Sequence, residues 1–243
     1  MKKHDEIADG LTHDILVGQY RTGERLPSER DLAARFDANR GAVREAMKKL
    51  EQLGIADIQP GGARVLPLTE ASLDVVGHLL AVGELPDAKL VDQILEVISS
   101  LISLAAESTL SKANGEEIER IRDLVKPLYL ESLNEEAHMA ARVSLMSAIM
   151  EASGNLVCHI IARSLLQQFA PNMTQLKGFA HVDVEAYRSY ARQLDKALGA
   201  RDKDAVRTIF EAFSKLNRES VMRAFAAFQA NGNGSADPEV STS

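Results

Sequence analysis

Apolar residues recur at helical spacing through most of the chain. Ile7, Leu11, Ile15 and Leu16 predict an amphipathic helix over residues 5–17 that stops at Gly18. After a connection with turn chemistry at Gly23 and Pro27, Ser28 is placed to cap a second helix, with Asp31 as the third residue behind it. That helix, residues 29–36, turns Leu32, Ala33 and Phe36 inward, and Asp37-Ala38-Asn39 makes a short turn in which Asn39 caps the next helix. The third helix, residues 40–53, carries Val43, Ala46, Met47 and Leu50 at i, i+3, i+4 and i+7 and ends at Gly54. Two short strand-like runs, residues 55–58 and 63–66, flank Gln59-Pro60-Gly61-Gly62 and predict a β-hairpin.

Beyond Pro67 the pattern is helical almost throughout. Thr69 is positioned to cap a helix to about Leu80, and residues 88–112 form a long apolar helix. Asn114 caps a third from Glu116 to about Leu133, Asn134 opens a fourth that ends at Gly154, and Asn155 caps a fifth that Pro171 stops. A sixth spans about 182–199 and a seventh, starting at Asp202, about 202–230. Residues 231–243 are small and polar, too poor in apolar area to offset the entropy of ordering, and read as a disordered tail. The expected fold is mainly α: a winged helix-turn-helix with a small hairpin wing over residues 1–67, then an antiparallel bundle of six to seven helices over residues 68–230.

Composition narrows the function. A hydrophobic fraction of 45% excludes a disordered chain, and a single cysteine excludes both a disulfide framework and a cysteine-based zinc site. The N-terminus lacks the apolar stretch of a secretory signal, and no uninterrupted run of about 18 apolar residues is present, so no membrane segment and a cytoplasmic location are expected. The 28 basic and 35 acidic residues give a net charge of −7, which by itself argues against nucleic acid. Its distribution reverses that argument. Residues 1–67 hold 11 basic and 11 acidic residues, so the remaining 176 carry all of the −7. Within residues 38–49, Arg40, Arg44, Lys48 and Lys49 face only Glu45, a local net of +3. Arg40 and Arg44 lie four apart on a face separate from the Val43/Met47/Leu50 stripe, in the first turns of the helix, where a recognition helix reaches base edges. An arginine there can bond guanine O6 and N7, or a phosphate. Gly61 and Gly62 let a wing backbone approach the minor groove closely. A charged helix face alone is ordinary solvated surface; the ordered set of three helices, basic face and Gly-tipped hairpin points to DNA.

The residues Leu26-Pro-Ser-Glu-Arg-Asp-Leu-Ala33, Val43-Arg-Glu-Ala46 and Leu50-Glu-x-Leu-Gly54 resemble the GntR family of bacterial transcription regulators over residues 7–66. The resemblance implies that Arg30, Arg40 and Arg44 contact operator DNA and that Gly61 meets the minor groove. Asn39 and Gly41 or Ala42 stand where that family usually has Ser or Thr, a departure that bears on base preference. Ala152-Ser-Gly-Asn155 and Ala197-x-Gly-x-x-Asp202 resemble the ligand-binding domain of the FadR branch over residues 70–228. Most members of that branch hold a divalent metal with one Asp and three His. The matching positions here are Arg142, Met146, Ala191 and Phe213, so neither a metal nor any other cofactor is expected. Ile94 and Ile98 replace polar residues that the branch often places in its pocket.

The candidate effector pocket is therefore Ile94, Ile98, Arg142, Met146, Asn155, Ala191 and Phe213, with Met139, Met150 and Phe210 as further apolar lining. Loss of ionic anchors suits an apolar or acyl-CoA-type metabolite, or a domain that has lost its ligand and only dimerises. No Ser-His-Asp or Cys-His set and no phosphate-cradling loop stands out, so no catalytic residue is expected. The expected partners are a palindromic double-stranded operator, a second copy of the chain and a small-molecule effector, with no membrane. A rival reading is a metabolite sensor whose winged helix contacts protein instead of DNA.

Overall fold

In the computed structural model, which describes residues 2–59, 62–130 and 132–233, the three N-terminal helices form as the pattern predicts. They are α1 (Lys3–Leu16), α2 (Glu29–Arg35) and α3 (Arg40–Gln52). Ser28 caps α2 by accepting from the Asp31 amide at 3.3 Å, and Asn39 caps α3 by accepting from the Ala42 amide at 2.8 Å. Between α2 and α3, Asp37 adopts a left-handed conformation (φ 46°), which gives the tight turn. The hairpin consists of β1 (Ala56–Gln59) and β2 (Gly62–Val65), antiparallel, with Ala56 opposite Val65 and Gln59 opposite Gly62. The connection after α1 adds to it: the Leu26 amide bonds the Ala63 carbonyl at 2.9 Å, and the Val65 amide bonds Glu24 at 3.0 Å. One core joins these pieces. Ile7, Leu11 and Ile15 of α1 meet Leu32 of α2, Val43, Ala46, Met47 and Leu50 of α3, and Ala56, Ala63 and Val65 of the hairpin.

The chain splits into two compact units, Met1–Pro86 and Asp87–Ser243. The expected division after Pro67 thus falls later, because the segment beyond the hairpin folds onto the head. Val75 is buried in the head's core, with Leu79 packed against it. This segment is not the single helix expected from Thr69. It is a one-turn 3-10 helix (Leu68–Glu70), a break, and α4 (Val75–Leu80). The break arises because the Ser72 amide donates to the Leu53 carbonyl at 2.9 Å, drawing residues 70–72 over the end of α3. Gly54 makes that approach possible: its φ is +70°, and a Cβ there would lie 2.7 Å from the Glu70 carbonyl oxygen.

The second unit is all helical among its described residues: α5 (Ala88–Lys112), α6 (Gly115–Val125), the short α7 (Pro127–Leu130), α8 (Glu135–Ala152), α9 (Leu156–Asn172), α10 (Val184–Ala200) and α11 (Lys203–Asn233). α5 is its central helix, packed against α11, α8 and α9, with Val91, Ile94, Ile98, Ile102 and Ala105 buried. By length and composition α5 could cross a membrane, although its apolar run is interrupted by Asp92, Gln93 and Glu96. Its packing within the unit accounts for its buried side, while Val97 and Leu104 remain exposed.

Four boundaries in this unit differ from the sequence expectation. The helix expected to run to about Leu133 breaks after Val125, because Pro127 has no amide to continue the ladder. Pro171 does not stop α9 but sits inside its last turn, with Asn172 following. Helix α10 ends at Ala200 rather than Gly199, closed by Arg201 in a left-handed conformation (φ 53°). Arg201 donates to the Leu110 and Ala113 carbonyls at 3.0 and 2.8 Å, satisfying free carbonyls at the end of α5. Gly199 has a different task, since a Cβ there would lie 3.3 Å from the Arg122 guanidinium carbon. Arg122 and Tyr129 both donate to Asp195, at 2.7 and 2.8 Å, tying α6 and α7 to α10. At the other end, α11 continues through Asn233, so the tail expected from residue 231 begins within this helix; residues 234–243 lie outside the described residues.

Candidate nucleic-acid interface

Because Val43, Ala46, Met47 and Leu50 are buried, the opposite face of α3 is solvent, and Arg40, Arg44 and Lys48 stand on it one turn apart. Arg40 is exposed and makes no hydrogen bond or ion pair with any described residue. Arg44 is engaged: its Nε donates to both carboxylate oxygens of Glu29 at 2.9 Å, bridging α3 to the first turn of α2. That hydrogen bond, with the nearby positive charge, holds the Glu29 carboxyl below its ordinary range and raises Arg44 above its own. Lys48 donates to Glu45 at 2.9 Å, a solvent-exposed pair one turn apart. Lys49 belongs to another face, ion-paired with Asp5 of α1, so it is not part of the exposed basic row. Arg30 projects from α2, 79% exposed and 3.6 Å from Asp31.

Asn39 and Gly41 have local roles. The Asn39 carbonyl oxygen is occupied by its cap on α3, and a Cβ on Gly41 would come 3.1 Å from that oxygen. Gly62 at the hairpin tip has φ +131° with open space around it, a backbone that other residues rarely adopt. Gly61 lies outside the described residues. Between α3 and the hairpin runs a groove of about 650 Å³, lined by Arg25, Glu29, Arg44, Lys48, Ile58 and Gly62 among others. Arg25 was not singled out from the sequence. It precedes Leu26-Pro27 with no periodicity to mark it, and only the pairing of its strand-like segment with Arg64 of β2 brings it to this groove.

In the second unit the proposed pocket residues separate into two groups. Ile98 and Met146 line a mainly apolar cavity of about 550 Å³ between α5, α8 and α9, with Ile102, Val143, Met150 and Leu166. Arg142 faces the other way, toward α10 and α11. It donates to Asn217 Oδ1 at 3.0 Å and lies 5.4 Å from the Tyr187 ring, and Tyr187 stacks on Phe213 at 4.1 Å. Ile94 is buried on α5, and Ala191 is buried one turn beyond Tyr187 on α10. Asn155 caps α9, accepting from the Cys158 amide at 3.1 Å. Among the described residues no three His, Cys, Asp or Glu side chains gather where they could hold a metal ion. Tyr187, which sequence reasoning passed over, meets His138 edge to face at 5.0 Å beside Arg142; the spacing of His138 and Glu135 suggests a solvated helix face, but His138 is buried.

A helix-turn-helix with a solvent-facing basic helix and a glycine-tipped wing, followed in the chain by an all-helical unit, defines a winged-helix DNA-binding regulator. The family description "bacterial regulatory proteins, gntR family" matches residues 3–65. Over 223 residues the chain is 26% identical to the transcriptional regulator Mce2R of Mycobacterium tuberculosis, covering 90% of this chain and 91% of that one. The transcriptional regulator LutR of Bacillus subtilis is 29% identical over 148 residues, 60% of this chain and 67% of LutR. The solved structure of Lar, described as controlling the Listeria monocytogenes agr system, shares the fold with a TM-score of 0.53 at 17% identity, covering 93% of this chain and 98% of that one. Residues 3–65 form a GntR-family DNA-binding domain, the chain is a DNA-binding transcriptional regulator, and the relatives named above are transcriptional regulators.

Proposed function

We propose that the protein acts in the cytoplasm as a homodimer on a palindromic operator, with α3 of each copy in the major groove and the hairpin tip against the adjacent minor groove. The observation that carries this is the row Arg40, Arg44 and Lys48 on the solvent-exposed side of a helix whose apolar side is in the head's core. In this reading Arg40 and Arg44 read bases, and Arg30 and Lys48 neutralise phosphates. Glu29 holds Arg44 extended before binding and yields it to DNA. Gly62, and Gly61 beside it in sequence, keep the wing free of side-chain bulk. The helical unit binds a small-molecule effector and dimerises. The effector sets operator affinity through its differential affinity for the DNA-competent and DNA-incompetent states.

Selection of binding sites from random duplex DNA by the full chain tests the operator reading. The expected result is an inverted repeat whose half-sites are about one helical turn apart, bound by two chains. Enrichment of no sequence, or of a single half-site bound by one chain, contradicts it.

A further inference from the structure

The groove between α3 and the hairpin joins apolar surface to charge. Pro27, Met47 and Ile58 line it, and Arg25, Arg44 and Lys48 stand there against a single carboxylate, Glu29. Arg44 and Lys48 are already engaged, by Glu29 and Glu45. Arg25 is exposed, and its side chain makes no hydrogen bond or ion pair with any described residue. The carboxylates closest to it in sequence or on the sheet are occupied. Glu24 accepts from the Arg21 amide at 2.9 Å, Glu29 from Arg44, and Asp57 from the Gln59 side chain at 2.6 Å.

A second feature comes from the sheet itself. Arg25 and Arg64 are partners in an antiparallel bridge, so two cations stand directly opposite each other on neighbouring segments. Like charges in that position oppose pairing. Arg64 has only a neutral acceptor among the described residues, the Gly23 carbonyl at 2.8 Å. Asp57 lies opposite Arg64 on β1, yet its bond goes to Gln59 and not to either arginine. The base of the hairpin thus holds two guanidinium groups together with no carboxylate to balance them, and one of the two lines the groove.

The shape of a duplex says what anion passes there. A helix in the major groove and a hairpin tip in the adjacent minor groove straddle one sugar–phosphate strand, because that strand is what separates the two grooves. We infer that this strand runs through the groove between α3 and the hairpin and that Arg25 binds one of its phosphates. The planar guanidinium fork fits two phosphate oxygens, and the apolar surface of Pro27 and Ile58 suits the deoxyribose faces beside them. The contact fixes the register of the head on the duplex and carries no base preference of its own. It rests on the proposed docking of α3 and the hairpin and adds a third point of attachment between them.

The test uses the full chain and four variants: Arg25→Gln, Arg25→Lys, Arg40→Ala and, as a control for charge alone, Arg21→Gln on the same connection. Salt titrations of duplex binding over about 50 to 200 mM should show Arg25→Gln flattening the slope of log Kobs against log salt by about one per half-site. The loss should be equal on selected and arbitrary sequences. Arg25→Lys should keep most of the slope, Arg21→Gln should change it far less, and Arg40→Ala should instead relax base preference. Operator duplexes carrying one neutral methylphosphonate, moved along each strand in turn, locate the contact. At one position, on the strand between the two grooves, wild type and Arg21→Gln should lose about threefold to fourfold in affinity while Arg25→Gln is indifferent. Circular dichroism and Tm confirm that each variant is folded. An Arg25→Gln chain with the wild-type slope and the wild-type methylphosphonate profile, or an Arg21→Gln chain with the same losses as Arg25→Gln, would overturn the inference. Salt-dependent wild-type binding beside either result removes this contact and leaves the regulator reading standing; wild-type binding that ignores salt defeats the docking on which both depend.

Discussion

Gly54→Ala should weaken the reading head by an amount that can be built from its surroundings. At φ +70° any L-residue pays for the left-handed conformation, about 1–2 kcal/mol. Alanine also restricts the unfolded chain, which returns about 0.4–1 kcal/mol. Gly18 has nearly the same conformation, φ +80°, with nothing within 4 Å of an added Cβ, so Gly18→Ala isolates this conformational part at roughly 1 kcal/mol. At Gly54 the methyl group would additionally meet backbone, the Glu70 carbonyl oxygen at 2.7 Å and the Ala71 Cα at 3.1 Å, and backbone cannot rotate aside. Such overpacking adds about 1–3 kcal/mol, for a total of roughly 2–4 kcal/mol. Hydrogen exchange on the full chain reads this directly, because the slow amides of α3 open with the head. At 1.4 kcal/mol per tenfold, exchange of Leu50 and its neighbours should accelerate about 30-fold to 1,000-fold in Gly54→Ala and roughly fivefold in Gly18→Ala. Equal protection in the two variants would refute the close packing of residues 70–72 over α3.

Other consequences follow from contacts already described. Arg201→Ala removes two charge-assisted bonds to the α5 carbonyls while keeping a non-glycine residue in the left-handed conformation, and urea unfolding should show a loss of about 1–3 kcal/mol; Arg201→Gly, which relieves that conformation, should recover part of it. On acidification the helical unit should weaken in two stages. His138 is held neutral in the fold, so the unfolded chain takes up the proton first, and stability begins to fall as pH drops below the ordinary histidine value of 6.5. Asp195 follows. Its burial disfavours the charge, but the bonds from Arg122 and Tyr129 outweigh that and keep its pKa below 3.8; the stability it lends is present above that value and lost as pH falls through its lowered pKa. Urea midpoints against pH should lose the first stage in His138→Phe and the second in Asp195→Asn. Glu29→Gln removes the carboxylate opposing Arg44 on the reading face. Fluorescence anisotropy should show tighter binding to arbitrary DNA and a smaller preference for the operator.

The head was legible in the sequence because its signals are local. Ser28 and Asn39 cap where their spacing says, and Val43, Ala46, Met47 and Leu50 mark the buried side of α3 and so its exposed side. What was not legible depends on partners far along the chain. The Val75 and Leu79 pair reads equally well as the start of a second domain, and only the Ser72–Leu53 bond shows that it covers the head. Gly199 and Arg201 sit where a helix is expected to end, yet their roles are to pass Arg122 and to cap α5. Pro171 is a strong stop signal overridden near the end of a helix, where few amide bonds remain to be lost. In the pocket, Arg142 could be placed by counting, but its neutral company of Asn217, Met139 and Tyr187 comes from three helices and leaves no trace in spacing.

The central claim is that α3 reads DNA through its basic row, and the salt dependence of operator affinity tests it most directly. Anisotropy titrations of the full chain between 50 and 200 mM salt, set here as about the range over which counterion release is well resolved, should give a steep linear fall of log Kobs with log salt. Arg40→Ala should weaken operator binding by about 1–3 kcal/mol and relax preference at one base pair in each half-site, while Lys48→Ala should flatten the slope by about one with little change in preference. A wild-type chain whose affinity ignores salt, or an Arg40→Ala chain that binds the operator with unchanged affinity and preference, would contradict the account.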